Sequence, residues 1–166
     1  RENFWRQLIS KIRQNYKGKL VYAANWDAYQ NVPFWDALDY VGINAYFPLV
    51  NEKTPSVEAL KKAWQPKLNR ISKFYKKVNK PILFTEFGYR SVDYSGRQPW
   101  VSDHTMRDVN LEAQVNTTKA LFDTFWHEDW FAGGFVWKWF YNHEHAGGLD
   151  DSRFTPQNKP VEELIR

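Results

Sequence analysis

The chain has 166 residues, enough to bury one core, and no cysteine, which excludes disulfides and thiolate chemistry. Its net charge of +4 does not indicate nucleic acid as a partner, because the lysines gather on helical faces and no recognition motif accompanies them. No apolar run is long enough to cross a membrane, and no cofactor-binding motif is present.

Residues 2–16 place Phe4, Leu8, Ile9, Ile12 and Tyr16 at helical spacing, with Gly18 as the stop signal. Residues 20–26 (LVYAANW) follow as a strand ending in Asn25 and Trp26. A short helix is expected around residues 33–38, with Pro33 in its first turn. Residues 40–46 (YVGINAY) form the second strand, closed by Pro48 and carrying Asn44 and Tyr46 at its end. Ser56 caps a long helix reaching to about Val78, which Pro66 is expected to interrupt or kink.

The third strand lies in PILFTEFGYRS (residues 81–91) and ends on Glu86. A carboxylate there, just before Gly88, is costly to bury and hard to explain as packing. A long polar loop, 91–108, leads to a helix over about 111–127. Residues 134–140 (GFVWKWF) read as the fourth strand, and a second polar loop, 141–159, leads to a final helix at 161–166.

Strands separated by helices predict βαβ units and a parallel sheet. An open doubly wound sheet and a closed (β/α)8 barrel both fit. No GxGxxG or phosphate-binding loop follows any strand, which weakens the nucleotide-binding version. A complete barrel needs about 250 residues, so four strands amount to half of one. Strand alternation predicts that Ile82, Phe84 and Glu86 share one face, as do Phe135, Trp137 and Trp139. Tyr46 is then placed to donate its phenol hydrogen to Glu86. The plainer readings are an ion pair between Glu86 and Arg90, and a half-buried Tyr46. Twelve Phe suit a large aromatic core, whereas nine Trp are harder to bury, and flat rings at a cleft stack well on sugars.

The strings LVYAANW, WDALDYVGINAYFPL, PILFTEFGYRS, GGFVWKWF and FTPQNKPVEELIR together resemble the later half of clan A glycoside hydrolases. Within that clan they are most similar to family 113, the β-1,4-mannanases. The resemblance implies an α/β fold: strands five to eight of a (β/α)8 TIM barrel, forming one partial domain over residues 1–166. It implies Glu86 as nucleophile, Tyr46 as its hydrogen-bond donor, and Trp137 as the sugar platform with Trp139 in reserve. Asn25, Trp26 and Arg90 are the further substrate-binding candidates, and Arg97 and His104 sit in the long loop. No metal or cofactor is implied, and the expected partner is an oligosaccharide or polysaccharide, not nucleic acid or a membrane.

The clan's acid/base is a glutamate ending the fourth strand, and this chain opens inside the helix that follows it. Glu2 has no strand ahead of it and does not take that role. The missing N-terminal half-barrel, or self-association, is therefore expected to complete the fold. The chain alone is expected to be inactive or nearly so. A non-catalytic carbohydrate-binding half-barrel is the alternative, and a phosphate-binding barrel a distant third. An extracellular or cell-envelope location is compatible, but nothing assigns one. His143, Glu144 and His145, and the pair Asp150 and Asp151, lack the spacing of known metal sites.

Overall fold

The computed structural model describes residues 1–102 and 108–166; His104 lies outside them. Helix α1 (Glu2–Asn15) precedes β1 (Val21–Asn25) and β2 (Tyr40–Asn44). Then come α2 (Val57–Val78), β3 (Ile82–Phe87), α3 (Leu111–Phe125), β4 (Phe131–Val136) and the short α4 (Glu162–Ile165). The four strands form one sheet in the order β1-β2-β3-β4, and every pairing is parallel. Sequential order without reversal is the pattern of a barrel wall rather than of a doubly wound sheet. The fold is thus α/β, four adjacent strands of a (β/α)8 barrel.

Local chemistry sets the helix boundaries. The Ser56 hydroxyl accepts from the Ala59 N–H at 3.1 Å, starting α2, and Asn79 in the left-handed conformation (φ 53°) ends it. Pro66 does not break α2, which runs through it unbroken. Pro66 and Lys62, whose carbonyl loses its partner, are both exposed, so water can satisfy that group. The helix expected around residues 33–38 is a single 3-10 turn, Trp35–Ala37.

The helix-facing side of the sheet is an aromatic core. Val41, Ile43, Ile82 and Phe84 are fully buried, and Phe84 packs edge-on against Phe125 and Phe131 at 4.9 and 4.8 Å. Trp64 of α2 reaches Phe125 of α3 at 5.1 Å, joining the two helices. Such edge-to-face pairs each add roughly 0.5–1.5 kcal/mol beyond area burial.

The opposite face and the outer stripe of α1 are open. Phe4, Leu8, Ile12 and Tyr16, four residues apart on one helical stripe, are 61, 36, 37 and 52% exposed, and Phe135 on β4 is 64% exposed. The inner face of α1 packs Ile9 and Trp5 on the core, and its end is tied to the sheet through Asp39. Hydrogen bonds from Arg13 and from the Leu20 N–H outweigh burial and lower that carboxyl from 3.8 to about 2. A depressed folded-state value means the tie stabilises fully above about pH 4 and is lost as pH falls through about 2. Thermal melts should therefore show the gap between the native chain and Asp39→Asn closing between pH 5 and pH 2, in about that window.

Two expectations about strand faces are corrected. The fourth strand is Phe131–Val136, not residues 134–140. A bulge at Gly133 (φ 98°), a conformation that favours glycine, sets its register against β3, and Trp137 and Trp139 lie beyond its end. In addition, Glu86 does not share a face with Ile82 and Phe84. Against β2, Ile43 pairs with Phe84 but Asn44 pairs with Glu86, so β3 holds one extra residue there. The bulge returns Phe87, not Glu86, to the helix side, where it packs on Phe122 and Trp126. Glu86 is left on the barrel face.

Candidate active site

Four polar side chains come together in two hydrogen-bonded pairs at the C-terminal ends of β2 and β3. Tyr46, two residues past β2, donates its hydroxyl to Glu86 Oε2 at 3.0 Å. Thr85 donates to Asn44 Oδ1 at 2.8 Å beside them. Burial, and then the charge of Glu86 and the bond to it, raise the Tyr46 phenol above its ordinary range, so it stays a donor. Among the described residues Glu86 has Tyr46 as its side-chain partner, and no ion pair with Arg90 is present. A half-buried carboxylate oriented by a protonated phenol can act as a nucleophile.

A stitched loop holds this arrangement from behind. Arg90 is only 4% exposed, and its guanidinium donates to the Ser152 carbonyl at 3.1 Å and hydroxyl at 3.4 Å. The fully buried Lys159 ammonium donates to Ser91 Oγ, Asp151 Oδ1 and the Arg153 carbonyl at 2.9, 3.1 and 2.8 Å. Gln114 of α3 donates to the Tyr89 and Phe154 carbonyls. The loop so anchored delivers Phe154 edge-on to Tyr46, with ring centroids 6.4 Å apart. Asp151 is consumed by this network, and His143 lies 2.6 Å from Glu162. Among the described residues no three or more His, Asp or Glu side chains gather to hold a metal ion. No helix among them is long and apolar enough to cross a membrane.

The tryptophans separate into distinct places. The Trp137 N–H bonds the Phe87 carbonyl at 2.6 Å, one residue from Glu86, and its own carbonyl presses on Gly88 so closely that a Cβ there would collide. The peptide from Trp137 to Lys138 is cis. Trp139 turns away instead, 6.0 Å from the His143 ring and 5.9 Å from the Arg166 guanidinium. Both indoles are 41% exposed. On the other side of Glu86, Asn25 is exposed at the end of β1, and Trp26 stacks on Trp100 at 5.5 Å and 21°. Sequence reasoning missed Trp100, because only folding brings its loop over β1. Arg97 is exposed, and lines a cavity of about 210 Å³ with Arg90, Asp93 and Ser95. Glu2 bonds Arg6 in the first turns of α1.

Parallel strands with polar side chains gathered at their C-terminal ends define the chain as part of a (β/α)8 barrel with its candidate site at the face where such barrels carry their chemistry. It belongs to Glycoside Hydrolase Family 113, whose family model matches residues 1–159. Among solved structures it is similar to the GH113 β-mannanase AaManA from Alicyclobacillus acidocaldarius in complex with ManMIm (29% identity, TM-score 0.82). A second GH113 β-1,4-mannanase complex matches at 28% identity with TM-score 0.83. These matches cover 99% of this chain but only 49 and 50% of theirs, so the chain spans about half the length of the mannanases it resembles. A Faecalibacterium prausnitzii β-glucuronidase matches at 19% identity and TM-score 0.66, which shows the fold alone. No curated protein matches the chain.

Proposed function

We propose that this chain supplies the nucleophile half of a retaining, β-mannanase-like glycoside hydrolase acting on β-1,4-linked polysaccharide. The observation that carries the reading is the 3.0 Å hydrogen bond from Tyr46 to Glu86 at the barrel mouth. A Glu86 oxygen attacks the anomeric carbon as the glycosidic C–O bond breaks, and an acid on the other half-barrel protonates the leaving oxygen. That group, about 5–5.5 Å from Glu86, then takes a proton from water, whose oxygen displaces Glu86 from the sugar. Tyr46 holds the carboxylate in one orientation for attack. Trp137, pinned beside the end of β3, is the platform for the sugar ring being cleaved, and Asn25 offers its amide to sugar hydroxyls further along. Arg90 acts here as the brace of the 151–157 loop.

The partial domain needs a complementary half-barrel, on the same polypeptide or a separate one. The half-length coverage of the mannanases and the open stripe on α1 support this. In the complete barrel, Tyr46→Phe should reduce kcat for β-mannan by about 10–100-fold and change KM little, as expected when a nucleophile loses its orienting donor. The split between kcat and KM separates an orienting role at the reacting carbon from a role in sugar binding. An unchanged kcat would reject the role assigned to Tyr46.

A further inference from the structure

We infer that Trp100, stacked on Trp26, is a distal sugar-binding platform that makes the cleft read a polymer rather than a short glycoside. The inference rests on the mannanase-like reading and extends it to the length of substrate engaged. Three observations carry it. Trp100 lies in the β3–α3 loop but reaches over to the residue that follows β1, meeting Trp26 nearly face to face at 5.5 Å. Trp26 is braced from below by Phe47 at 5.8 Å, and Phe47 in turn by Trp64 at 5.4 Å, both buried. The pair therefore stands on the core instead of hanging from a loop. Trp100 keeps 41% of its surface exposed, so one indole face is spent on Trp26 and another remains for a ligand.

Position does the rest. Glu86 is the last residue but one of β3, Trp137 follows its neighbour β4, and the Trp26–Trp100 pair tops β1 on the other side. Adjacent strands are about 4.8 Å apart, so the pair stands roughly 10 Å across the mouth from Glu86. That separation is too large for the sugar being attacked, and suits a residue further along the same chain. An aromatic surface on each side of the nucleophile recognises an extended glycan by its flat C–H faces. A glycoside ending near Glu86 touches only Trp137.

The test uses the complete barrel carrying Glu86→Gln, so that ligands bind without turnover, with and without Trp100→Ala. Mannohexaose and mannobiose are titrated calorimetrically. Trp100→Ala should weaken mannohexaose about tenfold, the scale of one lost aromatic contact, and mannobiose less than about twofold. Trp100→Phe should recover most of the loss. Equal weakening of both ligands, or of neither, overturns the platform while leaving the mannanase reading intact. Failure of the unsubstituted barrel to bind either ligand overturns that reading and this one together. A check without loss of the ring uses 5-fluorotryptophan: the Trp100 fluorine resonance should shift with mannohexaose and stay fixed with mannobiose. A resonance unmoved by mannohexaose also overturns the inference.

Discussion

Glu86→Gln in the complete barrel is expected to reduce turnover of β-mannan by on the order of 10⁴-fold or more while leaving oligosaccharide affinity within a fewfold of native. The amide is nearly isosteric and can still accept from Tyr46, so the 3.0 Å contact and the local packing survive. What it loses is the anionic oxygen that the proposed attack on the anomeric carbon requires. The sugar stacking proposed for Trp137 and for the Trp26–Trp100 pair would not depend on that charge. The same variant separates an enzyme from a sugar-binding half-barrel. Turnover that is absent before the substitution, with binding present, identifies a binding module, and turnover that survives it removes Glu86 from the mechanism.

The second large effect concerns assembly. Expressed alone, the 166-residue chain is expected to self-associate and to show no measurable mannanase activity. Among the described residues its sheet ends in β1 on one side and β4 on the other, each with an unpaired edge. Phe4, Leu8, Ile12, Tyr16 and Phe135 expose a broad apolar surface on and beside those edges. Light scattering should give a mass above the monomer, and paired changes such as Leu8→Glu with Ile12→Glu should shift it downward without unfolding the core. A clean monomer that binds no hydrophobic dye would contradict the open half-barrel. Hydrolysis of unactivated mannan by the chain alone would show that a second carboxyl within these residues serves as acid.

Much of this was legible from residue order because strand ends announce themselves. Glu86 breaks an apolar run just before Gly88, and Tyr46 closes the apolar run read as the second strand, so pairing them needed only the idea of a parallel barrel. The face on which Glu86 lies was not legible. Alternation places it with Ile82 and Phe84, and only the extra residue in β3, visible in its pairing with β2, turns it to the mouth. The fourth strand was misplaced for a similar reason: residues 131–140 are apolar or glycine except Lys138, and periodicity cannot say which of them pair with β3. The Gly133 bulge decides that. Pro66 shows the limit of a residue rule, since its cost depends on whether the freed carbonyl meets water. Trp100 could not be found at all, because its partner Trp26 is 74 positions away and no local pattern links them.

The most direct test of the central claim is covalent capture of the nucleophile. The complete barrel is incubated with a 2-deoxy-2-fluoro-mannosyl donor bearing a good leaving group, whose glycosyl-enzyme forms faster than it hydrolyses, and is then digested for peptide mass spectrometry. One sugar should be found on the peptide containing Glu86, and fragmentation should place it on that carboxylate. A sugar on another carboxylate, or steady turnover of the donor with inversion at the anomeric carbon and no adduct, would contradict the account.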